Sequence, residues 1–89
     1  YGTALADAVA SGAVRFGVGI CGSGIGISIA LNRNPKVRAA LCHDAAQAKL
    51  SRQHNDANAI VFGARLIDPA VAQEALETFL ETSFEGGRH

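Results

Sequence analysis

The chain has 89 residues, 48% of them apolar, and its eight Lys and Arg are balanced by eight Asp and Glu. That length allows one small domain, which buries roughly 60–65% of its extended surface, and glycines without a period exclude a collagen-like chain. Scattered charges summing to zero offer no basic stripe for nucleic acid or an anionic membrane.

The longest apolar runs, about seven residues, fall far short of the ~20 that span a bilayer. The opening YGTALADAVASG lacks the basic and apolar regions of an export signal. Cys21 and Cys42 fall at the ends of two predicted strands and read as free thiols of a reducing cytosol.

Tyr1 to Ser11 carries a weak helical face, Leu5, Ala8 and Val9, which Gly12 ends. Val14 to Ile20 (VRFGVGI) is a short apolar run, hence a buried strand, and Gly24 to Leu31 is a helix opening from a glycine turn. Asn32-Arg33-Asn34-Pro35 is a loop, because the residue before proline avoids the helical region. Val37 to Cys42 is a second strand. Asp44 with Gln47 three residues on has the reciprocal capping spacing of a helix start, here running to about Gln53. Ala59 to Phe62 is a third strand. Asp68-Pro69 then opens a last helix whose inner face is Leu76, Phe79 and Leu80 and which Gly86-Gly87 stop.

Continuous apolar strands alternating with helices predict a Rossmann-like α/β fold, a parallel sheet covered on both faces. Functional groups then gather beyond the carboxyl ends of the strands. Cys21, Ser23, His43 and Arg65 fall at or just past such ends, while His54 ends a helix that feeds the third strand.

The stretch from Gly17 to Gly22 fits G-x-G-x-x-G literally, yet two of its glycines lie inside the strand. Some twenty residues on stands Lys36 or Arg38 where a ribose-binding acid belongs, so the dinucleotide reading fails. The turn Cys21-Gly22-Ser23-Gly24-Ile25-Gly26 is different. Its amides converge at a helix start, a nest suited to a phosphate or a developing oxyanion. The same field favours thiolate at Cys21; a buried small thiol beside a tight turn is an equal local reading.

His54-Asn55-Asp56-Ala57-Asn58 offers a proton mover and hydroxyl-orienting amides. Turn-forming residues after a helix are the plainer account. Arg65 suits an anion or an exposed ion pair. Cys21, Cys42, His43 and His54 lack the close spacing of a zinc site. Gly22-Ser23-Gly24 lacks the first glycine of a nucleophile elbow, position 21 being cysteine. Neither metal nor cofactor is expected.

Taken together, ICGSGIGISIALN, VRAALCHDAAQAKLSRQHNDAN, VFGARL and FEGGRH resemble the ribose-5-phosphate isomerase B family, which includes galactose-6-phosphate isomerase subunits. The resemblance implies aldose–ketose isomerisation of a phosphorylated sugar, most directly ribose 5-phosphate, through an enediolate and without metal. It makes Cys21 the base at C2, has Ser23 bind the reacting oxygens, and sets the amides around Gly22, Gly24 and Gly26 against the enediolate charge. His54 would help open the furanose ring and Asn55 would orient hydroxyls. Arg65 and Arg88 would lie near the phosphate, and Tyr1 matches a tyrosine placed among the substrate contacts. Where some relatives use a glutamate base just after the glycine turn, this chain has Ile27.

Against that family the chain is short at both ends. It lacks a preceding strand–helix–strand with its D-H-x-G segment and a basic C-terminal helix. Only the last three strands of an order 2-1-3-4-5 are expected, with one parallel strand left at an open edge. The resemblance further implies a cytoplasmic homodimer, or dimer of dimers, with sites shared between subunits, and little activity from this chain alone. A non-catalytic phosphosugar-binding module and a hexose 6-phosphate isomerase are the alternatives.

Overall fold

The structure, a computed structural model, describes residues 2–86. Its elements run α1 (Gly2–Ala10), β1 (Gly17–Cys21), α2 (Ile25–Asn32), β2 (Ala39–Leu41), α3 (Ala45–Asn55), β3 (Ala59–Gly63) and α4 (Pro69–Glu81). The three strands are parallel, Gly17 to Cys21 registering with Ala59 to Gly63 and Ala39 to Leu41 with Ala59 to Val61.

The sheet order is β1-β3-β2. The order expected from resemblance would have set the strands side by side in chain order, and it is corrected here. The reason lies in β3: its five residues AIVFG are all buried, so its backbone groups need partners on both flanks. The three-residue β2 is half-buried and suits an edge.

Side chains alternate across β3, which splits the core into two. Ala59 and Val61 face Ala6, Val9, Ile27 and Leu31 of α1 and α2. Ile60 and Phe62 face Ala48 of α3 and Ala75 and Phe79 of α4. The result is the expected α/β/α layering. The glycines inside β1 let the helices approach: a Cβ on Gly19 would stand 2.9 Å from Ile27 Cδ1.

Element ends differ from the sequence reading in instructive ways. The first strand opens at Gly17, with Val14 exposed ahead of it. The second shortens to Ala39–Leu41 because the Val37 and Arg38 amides donate outside the sheet, to Asn34 O and Asn58 Oδ1. Asp44 caps α3 by accepting from the Gln47 amide at 2.8 Å, and Gln47 Oε1 reaches back to the His43 amide. That helix runs two residues past Gln53, to Asn55. Asp68 caps α4 through the Ala70 amide at 2.8 Å.

The last helix stops at Glu81, well before Gly86; Gly87 lies outside the described residues. Its terminating residue, Thr82, turns extended, and its carbonyl accepts from Arg52 Nε at 3.1 Å. A tertiary contact, not a glycine pair, ends it. Leu80 is 54% exposed, so Ala75 and Phe79, flanked by Leu76, make the inner face. Among the described residues no helix is long and apolar enough to cross a membrane.

Candidate active site

Strand β1 ends at Cys21, and the chain turns through Gly22-Ser23-Gly24 into α2. Gly24 has φ +79°, and a Cβ there would meet Leu41 Cδ1 at 2.5 Å and Gly63 N at 3.1 Å. Only glycine fits such a backbone at such closeness. The turn folds the first amides of α2, which have no partner within the helix, toward the cysteine. Cys21 Sγ accepts from the Gly24 amide at 3.2 Å.

The Cys21 thiol is held below its ordinary range, first by the Ile27 amide and then by those of Gly24, Ser23 and Gly26, against an opposing desolvation. Thiolate at a helix N-terminus is favoured for this reason. Cys42 is the opposite case. It is buried in the core beneath α3, and burial pushes its thiol up to about 11, opposed by a Ser51 hydrogen bond and helped by the Asp44 charge. Both cysteines are free thiols. Only Cys21 has the setting of a nucleophile or base.

The turn after β3 closes over this loop. Ala64 N donates to Cys21 O at 2.8 Å and Arg65 N to Gly22 O at 3.0 Å. The Arg65 guanidinium lies against Gly22, its Cζ and Nε each 3.2 Å from where a Cβ would stand. A cation, a depressed thiol and a set of convergent amides thus share one end of the sheet. Ser23 is exposed there, its Oγ accepting from the Ile25 amide at 3.2 Å.

His54 and Asn55 do not join them. They are the last residues of α3, which starts beyond the carboxyl end of β2 and returns to the amino end of β3. Five residues of strand, on the order of 15 Å, separate that end from Cys21. Asn55 lines a cavity of about 380 Å³ there with Asn32, Arg38 and Ser51. Of the polar cluster 54–58, Asp56 and Asn58 are structural. Asp56 caps α3 in the left-handed region (φ 48°). Asn58 ties the strand entrances together: its carbonyl accepts from Gly17 N at 3.0 Å, its Oδ1 from Arg38 N at 2.7 Å.

Tyr1 and Arg88 lie outside the described residues. Cys21, Cys42, His43 and His54 are not brought together, and among the described residues no three His, Cys, Asp or Glu could hold one metal ion. Two contributors escaped the sequence reading. The Ile27 amide matters through its N–H, which no side-chain pattern reveals. Gly63 ends β3 where any Cβ would run into the Ser23 carbonyl. Its signal was a glycine closing an apolar strand just ahead of Arg65.

Residues 1–89 match the ribose/galactose isomerase family. The chain is 46% identical over its full length to a putative sugar phosphate isomerase of Bacillus subtilis and 45% identical to ribose-5-phosphate isomerase B of Escherichia coli. It spans 60% of each of these relatives. The type B ribose 5-phosphate isomerase structure from Trypanosoma cruzi superposes with a TM-score of 0.96 at 50% identity, over 99% of this chain and 59% of that one. The Thermotoga maritima ribose 5-phosphate isomerase gives 0.97 at 44% identity, over 100% and 61%. With its whole length matched and its three-layer fold shared, the chain belongs to the ribose/galactose isomerase family.

Proposed function

We propose that this chain is part of a sugar-phosphate isomerase domain that interconverts an aldose and a ketose, most directly ribose 5-phosphate and ribulose 5-phosphate. The observation that carries this reading is the Cys21 sulfur set among the amides of Gly24 and Ile27, with Arg65 beside the same turn. Isomerisation needs a base at a weakly acidic C–H and dipoles aimed at the oxyanion that forms. In this mechanism the Cys21 thiolate takes the C2 proton, and the released electron pair makes the C1–C2 double bond of an enediolate. Ser23 and the amides around Gly22, Gly24 and Gly26 hold the charged oxygen. The O2 hydroxyl proton then passes to O1, and the O2 pair forms C2=O. The C1–C2 double-bond pair takes the returning proton at C1, which completes the ketose.

Arg65 takes the phosphate, with Arg88 and Tyr1 as further substrate contacts. His54 opens the ring and Asn55 orients hydroxyls, from a second copy of the chain. Support for the homodimer is geometric: within one copy these residues stand at the far end of the sheet from Cys21. The two free thiols suit the cytoplasm. A relative from Pectobacterium atrosepticum, 42% identical, is a D-erythrulose-4-phosphate isomerase, so sugar length varies among proteins this similar.

The test is ribose 5-phosphate in deuterated water with the protein from the complete reading frame that carries this segment. Conversion with deuterium entering the sugar is expected. Tight binding without exchange would leave a phosphosugar-binding module instead, and turnover confined to a hexose 6-phosphate would move the substrate.

A further inference from the structure

Arg52 is a buried cation that the proposed chemistry does not use. It is 5% exposed, one turn before the end of α3. Its Nη1 donates to Asp56 Oδ1 at 2.8 Å and to the Ala57 carbonyl at 2.6 Å, while Nε donates to Thr82 O at 3.1 Å. Its guanidinium carbon lies 4.9 Å from the Phe16 ring centre and 5.7 Å from that of Phe79. The two rings pack edge to face, 5.3 Å apart.

These contacts converge on the residues that follow His54 and Asn55. Asp56 is the one non-glycine residue with positive φ among the described residues. Such a conformation persists only where its surroundings impose it. Arg52 grips its carboxylate from the core side; from the solvent side Arg38 Nε donates to its carbonyl at 2.8 Å. The left-handed turn ends α3 right after Asn55, the Asp56 amide returning to Ser51 O. A fork of fixed geometry thus sets where the helix stops. Lysine, a single point of charge, lacks that fork.

We infer that Arg52 is a positioning residue: by clamping Asp56 and Ala57 to the end of α4 it fixes the angle at which His54 and Asn55 are presented to the substrate. The inference rests on the proposed role of those two residues.

The test measures kcat for ribose 5-phosphate in the complete protein, for Arg52→Lys, for His54→Ala and for the two combined, with melting temperatures alongside. Asp56→Asn, which loosens the same clamp from its partly exposed side, serves as a second variant where Arg52→Lys does not fold. Arg52→Lys is expected to lower kcat about tenfold or more alone, but by less than about threefold once His54 is alanine, because residues acting as a unit are not additive. A merely structural role lowers activity by the same factor in both backgrounds, and that result would overturn the inference. So would an unchanged kcat in Arg52→Lys when His54→Ala is slow. An active His54→Ala as fast as the native protein would instead remove the role assigned to His54, and the inference with it.

Discussion

The amide of Gly24 donates to the sulfur of Cys21 at 3.2 Å, joining the end of one strand to the start of the helix that follows it. Gly24 adopts φ +79°, which lets the chain enter α2 directly from that contact. Sulfur charge and backbone conformation are therefore coupled at this turn.

Thiol chemistry should divide the two cysteines. Alkylation of Cys21 should rise with pH about a midpoint below the ordinary thiol range, since its amide partners favour the thiolate. Cys42, at about 11 and buried, should stay unmodified until the protein unfolds. Mass spectrometry of iodoacetamide-treated protein across pH separates them; equal rates would remove the argument.

Cys42 also predicts a pH dependence of stability. Its folded-state value lies above that of an unfolded thiol, about 8.5, so the folded form holds its proton longer. The stabilisation is full below about pH 8.5 and is lost as pH rises toward 11. Urea midpoints should fall over that window, and Cys42→Ala should flatten the fall while lowering stability overall.

Gly24→Ala should cost about 1–3 kcal/mol of stability, because the new methyl meets both a left-handed backbone and Leu41. The amide would also leave the sulfur, so the alkylation midpoint of Cys21 should move up. A destabilised protein with an unmoved midpoint would sever the link between this turn and thiolate formation.

Cys21→Ala should stop deuterium entry into the sugar while a phosphate-bearing inhibitor still binds. Arg65→Gln should do the reverse, raising KM by about tenfold or more while kcat changes less, as expected for a contact equal in ground and transition states. Turnover by Cys21→Ala would end the proposal that this sulfur is the base.

Mixed subunits test the proposal that the site is shared between two copies. Cys21→Ala, inactive, and His54→Ala, slow, should when refolded together rise well above either parent, up to about one quarter of native. Half the dimers are then hybrids, and a twofold interface leaves each hybrid one intact site of its two. No recovery, with hybrids verified by mass, would place both residues in the same protomer's site.

Much of this protein follows from local rules alone. Asp44 with Gln47 and Asp68 with Pro69 mark helix starts, because capping is chemistry between residues two or three apart. The glycine turn after Cys21 was legible in the same way, as was the alternation of strand and helix. Other features belong to the tertiary structure. Strand β3 lies centrally because both of its flanks need hydrogen-bond partners, and α4 ends where Arg52 captures a carbonyl thirty residues away in sequence. Above all, adjacency in a list of polar residues says nothing of which end of a sheet they reach. His54 and Cys21 stand at opposite ends because a helix linking two parallel strands must run the full length back, and that distance is set by the sheet.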